Sequence, residues 1–153
     1  MRKVIAILVH LALVPLAQGE EQKAKKVVFS AMGCGPYTLE AERALARYVA
    51  LENKEQPASS FLVHCGDIVT SRNKNWPEER YSNVAGLLRR GNRIPTFIVP
   101  GDNEWNDQAD PDLHWEYWVR HFLRFDSSWA APGGGKTERQ QEREENFAFV
   151  LNE

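Results

Sequence analysis

Apolar positions along the chain fall into two periods, one that suits strands and one that suits helices. Ile94, Thr96, Phe97, Ile98 and Val99 form an almost unbroken apolar or β-branched run, which predicts a strand buried on both faces. Pro100-Gly101 stops it. Residues 60–70, SFLVHCGDIVT, repeat the form: an apolar strand over 61–64, a glycine, then Asp67. An earlier run, KVVFSAM at 26–32, is the first strand candidate, and Gly33-Cys34-Gly35-Pro36 ends it with turn chemistry. Between these runs the period changes. Ala41, Ala44, Leu45, Tyr48 and Val49 share one helical face, behind a capping Thr38 and ahead of an end near Asn53. Tyr81, Val84, Ala85 and Leu88 share another, opened by Pro77, Glu78 and Glu79 and closed near Gly91. After Asp110-Pro111, the stripe of Trp115, Trp118, Val119 and Phe122 makes a third. Such an aromatic stripe is read as core and not as a binding platform. Residues 126–146 read as a long polar loop, and FAFVL at 147–151 as a last strand.

The order strand-helix-strand-helix-strand-helix-loop-strand predicts an α/β fold with a mainly parallel sheet, alternating helices and right-handed crossovers. Each of the first three strands ends in a glycine turn. In a parallel sheet those turns gather at one edge, where α/β proteins take up ligands. Cys34, Asp67 and Asp102 are therefore expected near one another, with Asn103 and Glu104 beside them. Carboxylate and amide oxygens in that place suit a hard metal ion.

Composition changes the picture mainly at the N-terminus. The 153 residues, 42% hydrophobic, are ordinary for one domain. Residues 1–19, however, carry Arg2 and Lys3, an apolar stretch over 4–16 and a small-x-small end at Ala17-Gln18-Gly19. That is the pattern of a secretory signal peptide, and the apolar stretch is short for a membrane span. Without it, 17 Lys and Arg (19 less Arg2 and Lys3) face 21 Asp and Glu, a net charge of −4. A mildly acidic chain argues against nucleic acid or an anionic membrane as partner. No Asn-x-Ser/Thr triplet is present, so no N-glycan is expected. In a secreted chain the two cysteines, Cys34 and Cys65, meet an oxidising compartment, and they end strands expected to be neighbours. Gly133-Gly134-Gly135-Lys136-Thr137 imitates the end of a phosphate-binding loop, but position 130 is Ala and no strand precedes it. It reads as a flexible loop.

VHCGDIVTS followed by IVPGDNEWND resembles the second and third motifs of the calcineurin-like metallophosphoesterases. The resemblance implies an incomplete α/β sandwich of that type over residues 25–153, about the first half of such a domain. It implies a metal-dependent hydrolysis of phosphate esters, with two divalent metal ions and a phosphorylated small molecule or protein as substrate. Matched position by position, Asp67 is the ligand that bridges the ions and Asp102 stands at the usual Asn ligand. Asn103 stands at the usual catalytic His, and Glu104 at the closing acid. An Asn can donate a hydrogen bond to a phosphate oxygen but cannot transfer a proton at neutral pH. The first motif resembles a Gly-Asp-x-Pro-Tyr variant, with Cys34 of Gly33-Cys34-Gly35-Pro36-Tyr37 in place of the Asp. A thiolate there suits a softer metal such as zinc. The alternative is a bridge to Cys65, or a redox-responsive pair. The later His motifs of the family have no counterpart among His64, His114 and His121. Two functions therefore stand side by side: a secreted metallophosphoesterase or part of one, and a non-catalytic relative that has lost the dimetal centre and acts as a binding protein.

Overall fold

The computed structural model describes residues 26–53 and 59–151. The proposed signal peptide, residues 1–19, lies outside them. Three parallel strands, β1 (Ser30–Met32), β2 (Leu62–His64) and β3 (Thr96–Ile98), form a sheet in the order β1-β2-β3. Ser30, Leu62 and Thr96 lie in register, as do Met32, His64 and Ile98. Helix α1 (Leu39–Glu52) crosses from β1 to β2, and α2 (Glu78–Arg89) from β2 to β3. A third helix, α3 (Pro111–Phe122), packs beside α2. The α/β class and the parallel sheet follow the sequence pattern.

Strand alternation sorts the two faces of the sheet. Leu62 and Ile98 join the core built by the helices, with Leu45 and Val49 of α1, Tyr81, Val84, Ala85 and Leu88 of α2, and Trp118 and Phe122 of α3. The predicted buried face of α2 is the observed one. Ala44 of the predicted α1 face is exposed, so that helix buries a narrower stripe. The Trp stripe of α3 is core at Trp118 and Phe122 and half-buried at Trp115 and Val119. Its N-terminus is capped by Asp110, which accepts from the Leu113 N–H at 3.1 Å.

The opposite face is closed by an aromatic hairpin, and here the sequence reading needs a correction. The last strand lies outside the parallel sheet. It is β5 (Phe147–Phe149), paired antiparallel with β4 (Thr137–Arg139). The supposed loop over 126–146 therefore holds a strand, together with two short 3-10 turns at Phe125–Ser128 and Pro132–Gly134. The physical reason is the side chain of Phe97. It leaves β3 on the face away from the helices, and Phe149 stacks on it at 4.3 Å between ring centroids and Phe147 at 5.2 Å. Phe61 meets Phe149 edge-on at 5.2 Å. Burying this cluster outweighs the polarity of residues 137–146. Arg139 ties the hairpin down through an ion pair with Asp126 and a 2.9 Å bond to the Glu144 carbonyl. The first strand is also shorter than expected: it spans Ser30–Met32, and before it the Val28 carbonyl still accepts the Ser60 N–H at 2.7 Å.

Helix α1 starts where Thr38 Oγ1 accepts the Ala41 N–H at 3.2 Å. Replacing Thr38 by Ala leaves that donor to solvent and is expected to cost about 1 kcal/mol, seen as a lower urea midpoint with an unchanged slope.

Candidate functional site

The three strand-end turns meet at the carboxyl edge of the sheet. After β1 the chain runs through Gly33 to Cys34, whose N–H donates to the Gly66 carbonyl at 3.1 Å. Cys34 is left-handed, at φ 57°, and a cis bond joins Gly35 to Pro36. After β2 the turn passes through Gly66, at φ 85°, to Asp67, also left-handed at φ 59°. A short polar side chain tolerates that region better than most residues. The conformation aims both side chains at one point, where Cys34 Sγ donates to Asp67 Oδ2 at 3.4 Å. The Asn103 N–H donates to the other oxygen, Oδ1, at 3.4 Å.

Two buried groups hold these turns from behind. His64, at the end of β2, is 1% exposed. Its Nδ1 accepts the Gly66 N–H at 3.2 Å, which leaves Nε2 to donate to the Gly35 carbonyl at 2.9 Å. One imidazole thus fixes the turns after β1 and β2, and burial pushes its pKa down, so it is held neutral. Glu104, fully buried, does the same for the turns after β2 and β3. Its Oε1 accepts the Ile68 N–H at 2.9 Å and its Oε2 the Gly101 N–H at 3.1 Å. Burial raises its pKa to about 7, against the lowering effect of those bonds. Behind Glu104, the Tyr81 hydroxyl donates to its carbonyl at 2.6 Å and lies 2.9 Å from His114 Nδ1.

At the mouth of the site, Tyr37 lies against Cys34 and Asn103. Burial, then the charges of Cys34 and Asp67, push its pKa up to about 12, so it stays a phenol donor at neutral pH. The hydrogen bond to Asp67 and then its charge raise the Cys34 pKa, which favours the thiol over the thiolate.

Of the residues singled out from sequence, Asp67 sits at the centre. Asn103 reaches Asp67 through its backbone, while its own carbonyl accepts from Gln108 Nε2 at 2.6 Å. Asp102 lies on the same loop and is exposed; no hydrogen bond links its carboxylate to the described residues. Its carbonyl accepts from the Trp105 and Asp107 N–H groups, at 3.4 and 3.2 Å, which rounds off the loop. Cys34 and Cys65 are both free and exposed thiols. Sequence reasoning missed the clamps. The motif resemblance makes Glu104 only a closing acid, and the apolar run makes His64 only a strand residue. Its place directly before a Gly-containing turn was the available signal for a ring that satisfies turn backbone.

The donor set around Asp67 does not by itself fit a centre of two metal ions. It offers one carboxylate, already accepting a thiol and an amide N–H, beside a neutral phenol and a protonated thiol. Among the described residues, no three His, Cys, Asp or Glu side chains are placed to hold a metal ion. Comparison of the chain with protein-family models, with curated proteins and with solved structures returns no match.

Proposed function

We propose that this chain carries a phosphate-ester site of the metallophosphoesterase type, centred on Asp67, in a protein exported through the secretory pathway. The supporting observation is the convergence of three turns, Gly33–Tyr37, Gly66-Asp67 and Gly101–Glu104, at the carboxyl edge of a parallel sheet. The quoted resemblance needs that meeting. In this reading Asp67 is the central ligand for a divalent ion and Asp102 a second ligand from the exposed loop. Asn103 and the Tyr37 hydroxyl are the neutral donors that face a phosphate oxygen. Cys34 weakens the hold on a hard ion, because a thiol at the position of a carboxylate removes a negative charge and a hard oxygen.

Titration with Mn²⁺ tests this reading, with bis(p-nitrophenyl) phosphate and p-nitrophenyl phosphate as substrates. Cys34→Asp is expected to bind Mn²⁺ at least ~10-fold more tightly than the natural chain, since ligand-set changes of this kind move affinity by one to two orders of magnitude. Adding Asp67→Asn is expected to remove the gain. If Cys34→Asp gains neither Mn²⁺ affinity nor Asp67-dependent hydrolysis, the phosphoesterase reading fails.

The second reading, a non-catalytic relative that binds a phosphorylated ligand or a partner protein, is favoured by one observation. Both Asp67 oxygens are already taken, one by Cys34 and one by Asn103. The export part of the proposal has its own test: the N-terminal residue of the mature protein is expected to be Glu20. Among the described residues, no helix is long and apolar enough to cross a membrane.

A further inference from the structure

Beyond the last paired residues the turns after β1 and β2 stay hydrogen-bonded to each other, and this brings the two cysteines close. Cys65 N–H donates to the Met32 carbonyl at 2.7 Å, and Cys34 N–H donates to the Gly66 carbonyl at 3.1 Å. Gly33 therefore stands opposite Cys65. A Cβ on Gly33 would lie 3.3 Å from the Cys65 Cβ and 3.8 Å from its Cα. Gly33 has no such atom, so the space beside Cys65 on the β1 side is unfilled. Cys34 is the next residue along. The turns that carry the two cysteines are hydrogen-bonded to each other, so their backbones run one strand spacing, ~4.8 Å, apart. That is inside the ~4.4–6.8 Å range of disulfides. Glycines flank the pair at positions 33, 35 and 66, which lets the turn adjust at small steric cost. Both thiols are exposed, so a soluble oxidant reaches either one.

We propose that Cys34 and Cys65 are a redox-active pair that closes to an intrachain disulfide, and that closing it uncovers Asp67. In the reduced protein the Cys34 thiol donates to Asp67 Oδ2. A disulfide sulfur has no proton to donate, so oxidation returns that oxygen to solvent or to a cation. The oxidant is a low-molecular-weight disulfide, with oxidised glutathione as the probe. One cysteine thiolate attacks a glutathione sulfur, breaks the S–S bond and expels one glutathione thiolate. The second cysteine thiolate then attacks the resulting protein sulfur, expels the other glutathione thiolate and completes the bridge. Two protein thiols and one glutathione disulfide become one protein disulfide and two glutathione thiols. The protein thiols' two protons end on the glutathione. None of this depends on the phosphoesterase reading.

The test is oxidation of the folded full-length chain with oxidised glutathione, quenching with N-ethylmaleimide, and intact and peptide mass spectrometry. The expected product is a monomer that has lost two hydrogens, takes up no N-ethylmaleimide and yields a crosslinked Cys34–Cys65 peptide. It should exceed glutathione adducts at least ~10-fold, since the second thiol attacks intramolecularly. Cys65→Ser is expected to stop at a single glutathione adduct on Cys34. Adducts on both cysteines, or two thiols still open to N-ethylmaleimide after oxidation, would overturn the proposal. Circular dichroism of the oxidised sample, unchanged from the reduced one, is expected to show that the bridge closes in the folded chain.

Discussion

Gly66→Ala is expected to leave essentially no folded protein at 25 °C. Gly66 adopts φ 85°, where a Cβ is strained whatever the space. Space is missing as well. A Cβ at Gly66 would lie 2.6 Å from Gly101 Cα and 2.8 Å from the Pro100 carbonyl carbon, and closer still to Gly101 N. All three are backbone atoms of the facing turn, so no side-chain rotation relieves the clash. Either the turns after β2 and β3 separate or the strands slip. Separation strips Glu104 of its Ile68 donor, because Ile68 belongs to the turn after β2 while Glu104 and Gly101 share the turn after β3. The sum exceeds about 5 kcal/mol, comparable with the whole stability of many domains. Gly86→Ala is the matched control. Gly86 lies within α2, and a Cβ there meets nothing within 4 Å. That change should stabilise the protein by about 0.5–1 kcal/mol through helix propensity. The two variants, compared by circular dichroism and urea unfolding, should move in opposite directions. Equal behaviour would mean that the two glycine turns do not touch.

The second large effect concerns Glu104. Glu104→Ala leaves the Ile68 and Gly101 N–H groups buried without a partner and should cost about 2–5 kcal/mol at pH 5, from the desolvation of two donors. The wild-type carboxyl also makes stability depend on pH. Its pKa is 4.5 in the unfolded chain and about 7 in the folded one. Between those values the folded protein holds the proton while the unfolded chain has released it. The contribution is therefore complete below pH 4.5 and is lost as pH rises through about 7, for a total of about 3 kcal/mol. Two histidines oppose it. His64 and His114 have lowered pKa values, so their contributions are present above pH 6.5 and fall away in acid. Glu78 and Glu144, lowered by Arg120 and Arg124, lose theirs only below pH 4.5. The difference between wild type and Glu104→Gln isolates the carboxyl. That difference is expected to shrink steadily between pH 5 and pH 8. A gap that stays constant across that window would show that Glu104 is already ionised at pH 5.

Much of the fold was legible because periodicity is written in single residues. The α2 face of Tyr81, Val84, Ala85 and Leu88, the capping Thr38 and the three strand-turn units required only local rules. Wherever an element is stabilised from elsewhere, local rules gave the wrong element. Residues 137–139 carry Thr, Glu and Arg, which do not announce a strand, and they form one only because β5 pairs with them. The apolar letters of β5 predict a strand but not which face it covers, and the partner that claims them, the far side of Phe97, lies about fifty residues upstream.

The candidate site divides along the same line. The sequence by itself determined that two Gly-Asp turns and a Gly-Cys turn would gather at one sheet edge, since strand order and parallel direction leave them no other end. It also determined that Asp67 would be among the residues there. Tertiary structure alone decided the rest. It turned the Asn103 backbone toward Asp67, and it left the Asp102 carboxylate exposed, with no hydrogen bond to the described residues. It set a thiol against the central carboxylate and buried Glu104 as a clamp between two turns. The physical reason is that hydrogen bonding at a turn depends on left-handed backbone at Cys34 and Asp67 and on glycine backbones in contact at 66 and 101. A pattern of apolar and polar letters encodes which face a residue occupies, and those angles and approaches arise only when the strands are side by side.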